Sequence, residues 1–326
     1  MAVINGTAGN DTLKGGTGSD TIYGYAGDDR IDGGSGGDVM YGGAGNDTYI
    51  VDNSYDQVIE YENQGIDRVR TTVNGYRLPD NVEILEMVDH YQMLSGYGNN
   101  LDNVVYGNSY NNYIETGDYG NDLIYGGAGN DTISAGYGDD TIYGGLGDDS
   151  ILGSNGNDYI EGNEGNDYIS AGSGSDTIKG GAGNDTLSIG GGANAFVEMD
   201  GGTGDDTMYI SGSGHFDVID ESGFDTLKIW QNKANIALFM EDGDLVIDAG
   251  AAAGTTVVNI KDQSSGAIDV LYCSDNSYLT SSTINQLIQD MSAYATQQGI
   301  TISSVEDVKA NADLMNLINS SWTAAA

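Results

Sequence analysis

Residues 126–188 are seven consecutive nine-residue units with no insertion: GGAGNDTIS, AGYGDDTIY, GGLGDDSIL, GSNGNDYIE, GNEGNDYIS, AGSGSDTIK and GGAGNDTLS. Each has Gly at position 4, Asp at position 6 and an aliphatic residue at position 8. A fixed short period marks a repeat architecture, in which one unit cannot bury its own apolar face and stacking supplies the core. Glycines give the positive φ of a tight turn, the Asp gives a hard anionic oxygen, and the following triplet is a minimal strand with one residue inward. Two units make one coil of turn, strand, turn and strand, repeating every 18 residues.

These units resemble the RTX (repeats-in-toxin, haemolysin-type calcium-binding) family, whose nonapeptide is GGxGxDxUx. The resemblance implies an all-β fold, a right-handed parallel β-roll or β-solenoid with Ca²⁺ held between the turns of successive coils. Carried over through the 18-residue offset, it puts Asp131, Asp149, Asp167 and Asp185 along one edge of the roll. Asp122, Asp140, Asp158 and Asp176 line the other. Neighbours in a row would share an ion, with turn carbonyls completing an all-oxygen shell.

A first block of five units occupies residues 6–50: GTAGNDTLK, GGTGSDTIY, GYAGDDRID, GGSGGDVMY and GGAGNDTYI. The same offset links Asp11 to Asp29, Asp29 to Asp47, and Asp20 to Asp38 as further metal ligands. Leu13, Ile22, Ile31, Met40 and Tyr49 take the inward position, a thin ladder of core residues. Residues 51–106 lose the period but keep strand chemistry in DQVIEYE, DRVRTTVN, NVEILEMV and DNVVYGN. Period-2 alternation and β-branching predict longer coils continuing the solenoid, with Pro79 in a turn. The GNNLDN stretch at 98–103 resembles a segment found between RTX blocks.

The second block, 107–210, starts irregularly. Asn112 stands where an Asp is expected, which speaks against a Ca²⁺ site there, and TGDYGNDLIY carries one extra residue. Asp206 falls 21 residues after Asp185, outside the standard spacing. Residues 211–280 read as a β cap with a hairpin around Asp242-Gly243, since an open coil end exposes apolar side chains and unpaired backbone. Residues 281–326 switch to helical spacing. Ile284, Leu287, Ile288, Met291, Tyr294 and Ala295 share a face, Ser282 or Thr283 caps the start, and Gly299 ends it. Ser304 with Asp307 opens a second helix running past Leu314, Leu317 and Ile318 toward Trp322. The TAAA tail has the composition of the C-terminal type I export signal that the resemblance implies.

The net charge of −40, from 50 acidic and 10 basic residues, makes nucleic acid an unsuitable partner. Rows of Asp repel one another without counter-ions, so the metal-free chain is expected to be largely disordered and Ca²⁺ binding to supply folding free energy. Cys273 is the one cysteine, which rules out an internal disulfide. No stretch has the length and apolarity of a transmembrane segment or an N-terminal signal peptide. Sites of the extracellular class, with affinities of roughly 10⁻⁴–10⁻³ M, need Ca²⁺ levels found outside the cell, so the expected location is extracellular or at the cell surface.

No enzyme is expected. His90 and His215 belong to no HExxH motif, and GGSGG at 33–37, a formal match to GxSxG, lies wholly inside a repeat. Tyr23 with Tyr41 and Tyr125 with Tyr143 are predicted to stack on outer faces, where tyrosines are candidates to grip cell-surface polysaccharide. Tyr159, Tyr168, Val39 and Arg30 interrupt the threonine ladders that an ice-binding face would need. Repeats begin at Gly6 with only AVIN before them, which predicts a roll end available for stacking. The expected function is therefore a secreted structural protein that self-assembles in Ca²⁺ into a filament, layer or matrix. The alternatives are a Ca²⁺-dependent export and folding module of a larger enzyme or adhesin, with Met1 not the natural start, and a monomeric surface adhesin.

Overall fold

The computed structural model describes residues 1–326 except 90–93, 193–194, 232, 242–243, 251–255, 262–267 and 325–326. The chain forms two compact units, Met1–Asn155 and Gly156–Ala326. It is a parallel β-solenoid. Short strands pair with the strand one coil away rather than with their sequence neighbour, which is how an 18-residue period becomes a sheet register.

In the first unit one sheet runs, in order, through Thr12–Lys14, Arg30–Asp32, Thr48–Val51, Arg68–Thr71, Ile84–Met87, Val104–Tyr106, Leu123–Ala128 and Thr141–Leu146. The opposite face is split. Val3–Asn5, Thr21–Ala26, Val39–Ala44 and Gln57–Ile59 form a four-stranded sheet, and a second run starts at Tyr76–Arg77 and continues through Ser95–Tyr97, Tyr113–Glu115, Thr132–Tyr137 and Ser150–Asn155. Residues 51–106 thus continue the solenoid as predicted, with unequal coils: Thr48 lies opposite Arg68, Arg68 opposite Ile84, and Ile84 opposite Val104. Pro79 directly precedes the turn at Asp80–Asn81. The extra residue of TGDYGNDLIY is absorbed at a turn where Gly117 and Gly120 have φ of 116° and 120°, leaving Ile124 opposite Val105.

Between the faces lies one file of side chains per sheet. Ile22, Ile31, Met40 and Tyr49 are fully buried, as are Ile114, Ile124 and Ile142, because every strand sends its middle residue inward. Outside, Tyr23 stacks on Tyr41 with centroids 4.9 Å apart, and Tyr106, Tyr125 and Tyr143 form a ladder at 5.2 Å per step.

In the second unit one sheet passes through Tyr159–Glu164, Thr177–Ala182, Phe196–Thr203, Gly214–Ile219 and Thr256–Ile260, then turns antiparallel through Asp244–Asp248 and Ala237–Glu241. The last two strands are the predicted hairpin, whose turn residues 242–243 lie outside the described residues. The other sheet runs through Tyr168–Ser173, Thr186–Gly191, Thr207–Gly212, Thr226–Ile229 and Val270–Cys273 to Ser277–Thr280 and Thr323–Ala324, the last two again antiparallel. Antiparallel additions give the cap its different character from the parallel roll.

Helix α1, Ser281–Gln298, buries Ile284, Leu287, Met291 and Ala295 and ends on Gly299 at φ 65°. Its cap is Thr280, not Ser282 or Thr283: the Thr280 hydroxyl accepts the Thr283 amide, so the helix starts directly after the strand Ser277–Thr280. Ser304 and Asp307 form the predicted capping box of α2, Val305–Ala310. That helix does not run on to Trp322. The Asn311 side chain accepts the amides of Asp313 and Leu314 and so caps a separate α3, Ala312–Ser321.

Candidate metal centres

Each position-6 aspartate sits at the entry of its strand, where the turn delivers the carboxylate inward. In the first unit the amide of Asp11 donates to Oδ1 of Asp29, Asp29 to Asp47, and Asp20 to Asp38, each at 2.7 Å. Asp122 donates to Asp140 at 2.8 Å and Asp131 to Asp149 at 2.7 Å. In the second, Asp158 donates to Asp176 at 3.0 Å and Asp167 to Asp185 at 2.8 Å. One carboxylate oxygen of each such aspartate therefore binds the preceding coil, and successive aspartates form rows.

The second oxygen is different. Oδ2 of Asp29, Asp38, Asp47, Asp131 and Asp185 is buried and has no hydrogen-bond partner. It points at the position-1 glycine of its own unit: a Cβ on Gly126 would come within 2.6 Å of Asp131 Oδ2 and onto the Gly144 carbonyl of the next coil. The glycine therefore keeps open a space edged by a carboxylate oxygen and a carbonyl oxygen. Burial pushes the carboxyls of Asp131, Asp140 and Asp185 up to about 7 and those of Asp47 and Asp122 up to about 6. A buried carboxylate oxygen left alone is costly, and either a proton or a cation relieves it. The donors are all oxygen, with neither imidazole nor thiolate, which is the set for a hard divalent ion such as Ca²⁺. The residues fit the ion.

The thirteen aspartates are not equivalent. Asp11 and Asp20, in the first coil, turn Oδ2 onto the amides of Thr7 and Gly16, at 2.6 Å and 3.0 Å. Amides of Gly16 and Ala2 hold the Asp20 carboxyl below its ordinary range. Asn112 is buried in the row, where its Nδ2 reaches the Leu94 carbonyl at 3.4 Å and its Oδ1 accepts the Asn108 amide. Asn103 does the same with the Glu83 carbonyl and the Asn99 amide.

Several members of the rows lie beyond the strict repeats. Asp38 donates its amide to Asp56, still 18 residues on, and Asp47 to Asp67, 20 residues on. Asp206, set aside because of its spacing, stands in the row after all: the Asp185 amide donates to its Oδ1 at 2.7 Å and its own amide to Asp225 at 2.8 Å. The longer coil leaves the register intact, with Thr186 opposite Thr207. Position 5 carries a second stitch that the sequence reading passed over. The Asn10 side chain accepts the Asp28 amide and the Asp28 side chain accepts the Asn46 amide, opposite in direction to the position-6 bonds. The Asn, Asp or Ser that stands before every position-6 aspartate of the repeats but Asp38 was its signal.

Of the two histidines, His90 lies outside the described residues, and His215 packs on Phe196 with its Nε2 2.9 Å from Asn259 Nδ2. Among the described residues no helix is long and apolar enough to cross a membrane.

A search of curated proteins returned no match to this chain. The family described as RTX calcium-binding nonapeptide repeat (4 copies) matches residues 5–40, 15–49, 23–58, 97–133, 116–151 and 152–187. Those segments, residues 5–58 and 97–187, carry the position-6 aspartates of the two repeat blocks up to Asp185, and in them the chain has RTX calcium-binding nonapeptide repeats.

Proposed function

We propose that this protein is a secreted, non-enzymatic structural protein that folds on Ca²⁺ outside the cell and self-associates there. The observation that carries the folding half is the buried, unpartnered Oδ2 of Asp29, Asp131 and Asp185, each beside a glycine whose space is also edged by a carbonyl of the next coil. A state with these groups ionised needs cations, and weak Ca²⁺ sites fill only where the ion is abundant. A structural role is supported by how GGSGG is built into the coils: the Ser35 amide donates to the Gly16 carbonyl and its carbonyl accepts the Gly18 amide.

Self-association is supported by edges and faces. The strands Val3–Asn5 and Thr12–Lys14 each have a single neighbour in their sheets and Val3 is 64% exposed, so a second copy could extend both ladders. Light scattering and electron microscopy of the full chain test this. Growth of assemblies in millimolar Ca²⁺ and their loss in chelator is the expected result, and a strictly monomeric protein in Ca²⁺ would end the self-association reading.

A further inference from the structure

Where each repeat block gives way to longer coils, an acidic residue replaces a position-1 glycine. Inside the first block, Tyr23 lies opposite Tyr41, so Gly24 stands beside Gly42, and a Cβ on Gly24 would come within 2.6 Å of the Gly42 carbonyl. One coil on, Tyr41 lies opposite Ile59, which places Glu60 beside Gly42. In the second unit Asp200 lies opposite Ile219, which places Asp220 beside Gly201. The substitution is the same in both units although no period connects them.

Both positions collect carboxylates around the space that the glycine leaves. Asp47, Glu60 and Asp67 each offer a carboxylate oxygen within 4.8 Å of the others, and so do Asp206, Asp220 and Asp225. A Cβ on Gly42 would fall among Asp47 Oδ2, the Tyr49 hydroxyl and Glu60 Oε1; one on Gly201 would lie within 2.6 Å of Asp206 Oδ2 and against Asp220 Oδ1. Asp47 is 1% exposed and Glu60 6%, yet Asp47 Oδ2 and Glu60 Oε2 have no hydrogen-bond partner. The Tyr49 hydroxyl donates to Glu60 Oε1, and the amides of Gly42, Gly43 and Tyr61 face the same carboxylate. Asp206 is 1% exposed, and its Oδ2 and Asp220 Oδ1 are likewise buried and unpartnered.

We propose that these two clusters are three-carboxylate Ca²⁺ sites that close the repeat blocks, bind more tightly than the ordinary row positions, and fill first. Ligand charge count and rigidity set Ca²⁺ affinity, and each cluster adds a third carboxylate to the pair that an ordinary position draws from adjacent coils. Glu60 and Asp220 also supply oxygen from a side chain where the repeat supplies a glycine carbonyl, so the last coil of each block completes a shell with no further repeat beyond it. A solenoid folds by propagation from its most stable interface, which makes an early-filling terminal site a starting point for ordering the coils behind it.

The inference rests on the reading that the rows take Ca²⁺, and calorimetric titration of the full, chelator-stripped chain separates the two. Expected is a tight class of two ions, each bound on the order of tenfold more tightly than a weaker, larger class. Glu60→Gln and Asp220→Asn should each delete one tight ion, and the double variant both, with the weaker class unchanged in number. A single class of weak sites, or variants that keep two tight ions, overturns the inference; a chain that takes no Ca²⁺ at all overturns the proposed function. Should a variant fail to fold even in saturating Ca²⁺, crystals of the unaltered chain grown at two equivalents of Tb³⁺ decide. Anomalous density at Glu60 and Asp220 supports the sites, and density elsewhere in the rows or nowhere contradicts them.

Discussion

The strict coils and the linking coils of the first unit solve one problem in two ways. At Asp131 the buried second oxygen has no hydrogen-bond partner and faces the space beside Gly126. At Asn112, one coil earlier in the same sheet, the side-chain oxygen faces the space beside Gly107 and accepts the Asn108 amide at 2.8 Å, while the amide nitrogen, turned to the preceding coil, donates to the Leu94 carbonyl and to Asn108 Oδ1. Both side chains are nearly fully buried, and a position-1 glycine, Gly107 or Gly126, opens the turn for each. The Asn112 oxygen beside its glycine already accepts an amide hydrogen, and its nitrogen brings hydrogens of its own to the Leu94 carbonyl, whereas Asp131 Oδ2 accepts none and is left for a cation or a proton. Asn in the row thus makes a coil self-sufficient where Asp leaves an oxygen open.

The sharpest way to break that comparison is to exchange the two residues. Asn112→Asp places an unpaired carboxylate in a buried site and should cost about 3–5 kcal/mol where Ca²⁺ just suffices to fold the chain, while in saturating Ca²⁺ it should recover stability and add one bound ion. Asp131→Asn should lose one ion and cost about 1–3 kcal/mol in saturating Ca²⁺, with a smaller cost or a gain at limiting Ca²⁺. Denaturant unfolding at limiting and at saturating Ca²⁺, with ion counting, measures both. Equal effects at the two Ca²⁺ levels would contradict the assignment.

That exchange also marks how far the sequence reading reached. The position-6 aspartates, the inward Ile22, Ile133 and Ile142, and the stacked Tyr23–Tyr41 and Tyr125–Tyr143 pairs were legible because an unbroken period translates directly into register. Asp206 and Asp220 were not: insertions break the count of residues, and strand pairing, a property of the folded sheets, restores the alignment. Glu60 stands 18 residues after Gly42 and escaped for another reason, since a Glu does not match a glycine position of the repeat. The Thr280 cap and the break at Asn311 were missed for a local reason. Several Ser, Thr and Asn residues compete at each helix end, and the hydrophobic pattern alone does not choose among them.

Acidity separates the regions more gently, and with opposite signs in the two conditions. Burial raises the folded-state carboxyls of Asp131 and Asp185 from 3.8 to about 7. A raised folded value means that the metal-free fold holds protons which the unfolded chain releases. The associated stability is therefore present below pH 3.8 and is lost as pH rises through about 7. In chelator, the folded fraction should fall between pH 5 and pH 8. In Ca²⁺ protons compete with the ion for the same oxygens, so apparent affinity should fall as pH drops from about 7 to 5. Circular dichroism across pH in both conditions checks this, and parallel profiles would contradict it.

The smallest effect is expected on the outer faces, which both kinds of coil share. Tyr125 stacks between Tyr106 of a linking coil and Tyr143 of a strict one, at 5.2 Å on either side. Tyr125→Ala should cost about 0.5–1.5 kcal/mol beyond its lost area and leave the number of bound ions unchanged. A change in ion count would show that the ladder supports the rows as well as the surface.

Folding of the full chain followed by far-ultraviolet circular dichroism and calorimetry through a Ca²⁺ titration tests the central claim most directly. The account predicts a largely unfolded chain in chelator at neutral pH and a cooperative gain of β-structure as the ions bind. A chain with its full β signal already present in chelator, unchanged by Ca²⁺, would contradict it.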